Sequence, residues 1–148
     1  MTKKSVIAIC ASADFYRQVV DIDTKLSELG FKVIIPATAS KMKETGDFAV
    51  SHYKTWFAQP GDYHKKAALM REHFEEIANA DAILVVNNEK HGKPNYIGGN
   101  VLMEMGLAFY LKKKIFILND IPEDSPFEEE IRGFEPIVLK GALEKIIV

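Results

Sequence analysis

One carboxylate stands out as a candidate for chemistry. Between Lys93 and Lys112, Glu104 is the only residue charged at neutral pH. It falls within Asn95-Tyr96-Ile97-Gly98-Gly99-Asn100-Val101-Leu102-Met103-Glu104-Met105-Gly106, whose second half has the composition of an apolar helix. On a helix its neighbours are Asn100, Val101, Leu107 and Ala108. A carboxylate on such a face must be solvated by a cleft, paired, or shifted in pKa. A solvent-facing glutamate favoured by the helix dipole is the alternative. Gly98-Gly99 ahead of the helix permits close approach of a ligand and leaves free N–H groups for an anion. A tight turn would need the same pair.

Other candidates gather around this one. Ser12 and Asp14 lie where a first strand meets its helix, as phosphate contacts or as ordinary N-caps. Asn87, Asn88, Asn95 and Asn100 offer amides to a base edge, but an amide is no general acid. Asp81 opens a strand, where capping is the simplest role. Lys65, Lys66, Arg71 and His73 form either a solvated helix face or, through Lys66 or His73, a phosphate contact. The spacing of His52, His64, His73 and His91 matches no recognisable metal motif, so no metal site is expected. Glu128-Glu129-Glu130 reads as the exposed start of a short helix.

These residues need a scaffold, and the chain alternates strand-like with helix-like runs. Strands are expected at Val6 to Cys10, Phe31 to Pro36, Ala82 to Val86, Ile115 to Leu118 and Pro136 to Leu139. Helices are expected at Asp14 to Leu29 (stopped by Gly30), His64 to Ala80, Gly98 to Lys112 and Phe127 to Arg132, with a last turn or helix at Ala142 to Ile147. Strands separated by helices imply parallel pairing. The expected fold is an α/β three-layer sandwich with a five-stranded parallel sheet in the flavodoxin-like order 2-1-3-4-5. Its ligand crevice lies between the first and third strands at their C-terminal edge, with Glu104 expected to be solvent-accessible in it. The loops Ala11 to Asp14, Asn87 to Gly99 and Asn119 to Ser125 are then the ones to watch. Ala37 to Tyr63 is an insertion of weak periodicity carrying Tyr53, Trp56, Phe57 and Tyr63. It is either a lid over the crevice or an extra helix packing its aromatics on the domain or a second subunit.

Composition sets the outer bounds. The 148 residues suit a single domain, 47% hydrophobic and 27% charged. A net charge of −2 argues against a nucleic-acid polymer as partner. Cys10, the only cysteine, permits no intramolecular disulfide and fits a reducing, cytoplasmic setting. Lys3-Lys4 before a short apolar run reads as the approach to a strand rather than a signal peptide. No stretch reaches membrane-spanning length, so no membrane partner is expected.

One combination resembles a known family. A strand, a Gly-rich loop, a helix bearing Glu-x-Gly-x-Ala, then Lys and another strand is similar to the nucleoside 2-deoxyribosyltransferase-like superfamily, which includes the deoxynucleoside 5′-monophosphate N-glycosidases. The matching residues are Ala80 to Val86, Gly99, Glu104-Met105-Gly106-Leu107-Ala108 and Lys114, with Ala11-Ser12 closing the first strand. The resemblance implies that Glu104 is a nucleophile attacking the anomeric carbon of a nucleoside or nucleoside 5′-monophosphate. It further implies a homodimer or larger homo-oligomer; no cofactor is expected, and the substrate contacts expected from the residues themselves are Ser12, Asp14, Asn88, Gly98, Gly99 and Asn100. The transferases of this group carry an acidic residue six positions before the nucleophile; here that position is Gly98. Binding without cleavage, on the same fold, is therefore the alternative function. A flavin carrier ranks last, for want of a Ser/Thr-rich phosphate loop.

Overall fold

The computed structural model describes residues 3–148. Its centre is a five-stranded sheet in the order β2-β1-β3-β4-β5, with every pair parallel. The strands are β1 (Val6–Ala11), β2 (Lys32–Ile34), β3 (Ala82–Val86), β4 (Lys114–Ile117) and β5 (Ile137–Val138). The α/β three-layer order expected from the sequence is thus observed. In β1 and β3 every residue but Val6 is buried, as strands covered on both faces must be.

Alternation along β1 sorts the core into two layers. Ile7, Ile9 and Ala11 face Val19, Ile22 and Leu26 of α1 (Tyr16–Glu28). Ala8 and Cys10 face the other layer, with Ile77 of α3 (Tyr63–Asn79) and Val101, Met105 and Ala108 of α4 (Gly99–Tyr110). Truncating one of these, Met105→Ala for example, would cost about 2–5 kcal/mol. Helix α1 ends in a Schellman motif. The Phe31 N–H reaches the Leu26 carbonyl, the Gly30 N–H reaches that of Ser27, and Gly30 takes a φ of +97°.

The insertion is more ordered than its sequence suggests. Helix α2 (Ala37–Thr45) starts directly after Pro36 and closes on Gly46. It buries only Ala39 and Met42, so it carries no apolar stripe to read. Three 3-10 turns follow, at Val50–His52, Thr55–Phe57 and Pro60–Asp62. Polar contacts hold them. The Tyr53 hydroxyl donates to the Asp47 carbonyl at 2.8 Å, and Thr55 donates to Asp62 at 2.6 Å. The acidic run begins α5 (Glu128–Gly133), where Glu128 pairs with Arg132 at 2.8 Å. The chain's last element is a single 3-10 turn, Leu143–Lys145.

Candidate active site

Parallel strands deliver their following loops to one edge of the sheet, and the cavity lies there, beyond β1 and β3. It encloses about 190 Å³. The β1 loop contributes Ser12, and the start of α4 contributes Gly98, Gly99, Asn100 and Glu104. Helix α3 adds Lys66, Leu69, Met70 and His73, while the insertion adds Tyr53, Lys54 and Trp56. Among the described residues Glu104 is the only carboxylate in the lining.

The floor is built from regular elements. Val101, Met105 and Ala108 hold α4 against the sheet, and Glu104 shares their face. The sequence reading expected a solvent-accessible carboxylate. Glu104 is instead 4% exposed, set down between α3 and β1. His73 comes from α3 and Cys10 from β1, both buried. His73 Nε2 lies 3.5 Å from Glu104 Oε2 and 3.8 Å from Cys10 Sγ. Its Nδ1 has no hydrogen-bond partner; Glu76 stands 3.6 Å away, an ion-pair distance.

Burial controls the protonation of this floor. It pushes the Glu104 pKa up to about 7, against the opposing pull of His73 and Lys66. For His73, burial favours the neutral ring, but the Glu76 and Glu104 carboxylates outweigh it and leave its pKa raised. Burial and then the Glu104 charge hold the Cys10 thiol well above its ordinary value, and they raise Tyr16 in the same way. A carboxylate with its pKa raised to about 7 and a histidine with its pKa raised therefore sit in contact at the bottom of a cavity.

The rim is cationic. Lys66 donates to Asn100 Oδ1 at 3.0 Å and lies 5.8 Å from the Trp56 ring. Lys90 donates to Ser12 Oγ at 3.0 Å, pairs with Asp14 at 3.1 Å and sits 4.9 Å from the Tyr96 ring. Among the described residues neither Lys54 nor Lys66 is within ion-pair distance of a carboxylate. Burial lowers the pKa of both, and Lys54 is lowered further by Lys66 and Lys90. Three lysines around one opening favour an anion.

The sequence candidates divide. Ser12, Gly98, Gly99, Asn100 and Glu104 meet at the cavity; Asp14 and Asn88 do not line it. Asp14 is exposed and reaches the site only through Lys90. Ser12 precedes a 3-10 turn without making a side-chain cap, which leaves its hydroxyl to Lys90. Asn87 and Asn88 tie the β3 loop to Asn119, whose amide donates to the Asn87 carbonyl and to Asn88 Oδ1. No residue of Asn119 to Ser125 lines the cavity, against expectation, because this loop is spent on those bonds. Asp81 accepts the Val6 N–H at 2.7 Å, a strand-start role. Of the insertion aromatics, Tyr53 and Trp56 line the cavity, whereas Phe57 and Tyr63 are largely exposed.

Sequence reading passed over Cys10, Tyr16, Lys54, Lys90 and Tyr96. For Cys10 a signal existed: it falls on the even-numbered face of β1, near the edge that must carry the site. For Lys54 and Lys90 there was none, since lysines in irregular segments are ordinarily solvated. Tyr96 has a particular place. A Cβ built on Gly98 would meet the Tyr96 hydroxyl at 2.9 Å. The hydroxyl thus fills the space beside the position where the resembled transferases carry an acid.

No protein-family model matches the chain, and no curated protein matches it. Among solved structures, the chain is similar to a CMP N-glycosidase of Clostridium botulinum, BcmB. The two are 16% identical, the match covers 92% of this chain and 89% of that one, and the TM-score is 0.49. A likeness of that degree leaves any reaction to be argued from the residues themselves.

Proposed function

We propose that this protein cleaves the N-glycosidic bond of a nucleoside 5′-monophosphate, with Glu104 as the nucleophile. The observation that carries the reading is a single buried carboxylate at the floor of a cavity ringed by Lys54, Lys66 and Lys90. The lysines would take the phosphate as point charges, with the Ser12 hydroxyl and the start of α4 beside them. Phosphate bound at the rim would direct the sugar toward the floor.

In the proposed reaction a Glu104 oxygen attacks C1′ from the face opposite the base. The C1′–N bond breaks and its electron pair leaves with the base, giving a glycosyl ester on Glu104. Water then cleaves the ester, so the sugar is released with its configuration retained. The attack requires the carboxylate, so His73 is assigned the task of holding that form; its protonated ring would face Glu104 across 3.5 Å. The Tyr96 hydroxyl, beside Gly98, is assigned to the departing base as a hydrogen-bond donor. Retaining glycosidases use a second carboxyl group as acid, and among the described residues no other carboxylate lines this cavity. That observation favours a second reading, in which the protein binds a nucleotide without cleaving it.

Incubation with ribo- and deoxyribonucleoside monophosphates, followed by chromatography for free base, separates the two. Base release by the wild type and its loss in Glu104→Gln supports cleavage. Tight nucleotide binding with no base released supports the binding role.

A further inference from the structure

The floor holds a second kind of chemistry. Cys10 Sγ, a His73 ring nitrogen and a Glu104 carboxylate oxygen lie within 4.8 Å of one another, and all three residues are buried. They come from β1, α3 and α4, elements far apart in the chain, so no sequence spacing announces them. A tetrahedral zinc ion with bonds of about 2.0–2.3 Å holds its ligands about 3.3–3.6 Å apart. The two contacts of His73 Nε2, 3.5 Å to Glu104 and 3.8 Å to Cys10, are close to that spacing.

His73 supplies an independent observation. A histidine that ligates a metal through one nitrogen ordinarily donates the other N–H to a carboxylate, a backbone carbonyl or a water. Here Nδ1 is buried and unpartnered, with Glu76 Oε1 standing 3.6 Å from it. A small contraction of that contact would complete a carboxylate–histidine–metal arrangement. The donor set is one sulfur, one nitrogen and one oxygen. That mixture suits Zn²⁺ and excludes the all-oxygen preferences of Ca²⁺ and Mg²⁺.

We propose that Cys10, His73 and Glu104 form a site for Zn²⁺, with its fourth position open to the cavity, and that zinc bound there inhibits the enzyme. On binding, the Cys10 S–H gives its proton to solvent and the sulfur becomes a thiolate ligand, while His73 binds through neutral Nε2. A Glu104 oxygen donating to zinc is no longer available to attack C1′. The inhibition rests on the glycosidase reading of Glu104; the coordination does not.

Metal-free protein titrated with Co²⁺ tests the coordination directly. The expected result is one Co²⁺ per chain, with a sulfur-to-cobalt charge-transfer band and tetrahedral visible bands, both displaced by Zn²⁺. Cys10→Ala and Cys10→Ser, paired because the buried thiol also fills space, should lose the band. Glu76→Gln should weaken Zn²⁺ binding by about 10–100-fold while the band persists. In the base-release assay Zn²⁺ should inhibit the wild type, a chelator should restore it, and either Cys10 variant should stay active and resist inhibition. Absence of the sulfur band, or undiminished Zn²⁺ affinity in Cys10→Ala and His73→Gln, overturns the site. A band accompanied by unimpaired base release overturns the inhibition alone. If no nucleotide is cleaved even without metal, the glycosidase reading fails, and the cobalt spectrum still decides the site.

Discussion

The floor and the rim of the cavity are built on different principles. Cys10, His73 and Glu104 stand on a strand and two helices, with backbones fixed by the core. Of the rim groups Lys66 shares α3 with the floor, but Lys54, Trp56, Lys90 and Tyr96 stand on turns and loops held by side-chain contacts. The floor buries a carboxylate deeply enough to bring its pKa near neutrality. The rim gathers lysines around an opening. Reactive groups need positions fixed to a fraction of an ångström, which regular elements supply; groups that select a ligand can sit on segments that vary. If this division is real, replacing Glu104 on the floor should abolish turnover and rim substitutions should weaken binding.

The largest effect belongs to the floor. Glu104→Gln keeps the size and polarity of the side chain but cannot readily form the ester. It should lower kcat by about 10³-fold or more while leaving nucleotide affinity within a few fold. Single-turnover assays beside calorimetric binding would check this. A variant that cleaves at the wild-type rate removes Glu104 from the mechanism and dissolves the distinction between the two regions.

Legibility from the sequence follows the same division. Two-faced apolar runs at Val6 to Cys10 and Ala82 to Val86 made the sheet readable, and with it the edge where the site lies. Glu104 was readable because a lone charge in an apolar helix violates the surrounding pattern. His73 was read as one of two candidates on a helix face, but its contact with Glu104 depends on how α3 and α4 pack, which neither helix's periodicity encodes. Helix α2 was hidden for a related reason: with only Ala39 and Met42 buried, it has too little apolar stripe to signal a helix. Lys66 was read as the other candidate on that helix face, but Lys54 and Lys90 were hidden most completely. Nothing in a lysine's local sequence distinguishes one facing a cavity from one facing water.

Breaking the rim should look different. Lys66→Ala and Lys54→Ala should each raise KM for a nucleoside monophosphate by about 10–100-fold, the scale of a charge-assisted hydrogen bond, with kcat changed far less. The unphosphorylated nucleoside should be handled almost equally by wild type and variants. Steady-state kinetics with both substrates gives the comparison. An equal loss on both would mean that the lysines do not read the phosphate.

Stability against pH probes the floor without any substrate. The folded-state pKa of Glu104 is raised from 4.5 to about 7. Its protonated form is therefore favoured by folding: the contribution is fully present below about pH 4.5 and is lost as pH rises through about 7. His73, also raised, acts in the same sense, losing its contribution as pH rises past the ordinary histidine value. The wild type should lose on the order of 2 kcal/mol across this window, and Glu104→Gln, unable to ionise there, should lose less. Denaturant titrations at pH 5 and pH 8 measure the difference. Equal pH dependence in the two proteins would show that Glu104 is not held in its neutral form.

The smallest effect sits where floor and rim meet. Gly98 ends the loop ahead of α4 with φ −93°, a backbone geometry open to any residue, so conformation does not require glycine. Space does: a Cβ there would lie 2.9 Å from the Tyr96 hydroxyl, with two ring carbons at 3.3 Å. Gly98→Ala should therefore push the Tyr96 ring outward, costing about 1 kcal/mol of stability. Tyr96→Phe removes the nearest of these atoms. Combined with Gly98→Ala it should recover part of the cost, so the two changes are less than additive in denaturant titrations. If Tyr96 donates to the departing base, each single change should also slow base release, and the double variant should regain stability without regaining rate. A double variant that regains both would give Tyr96 only a packing role, and the leaving base would need another donor.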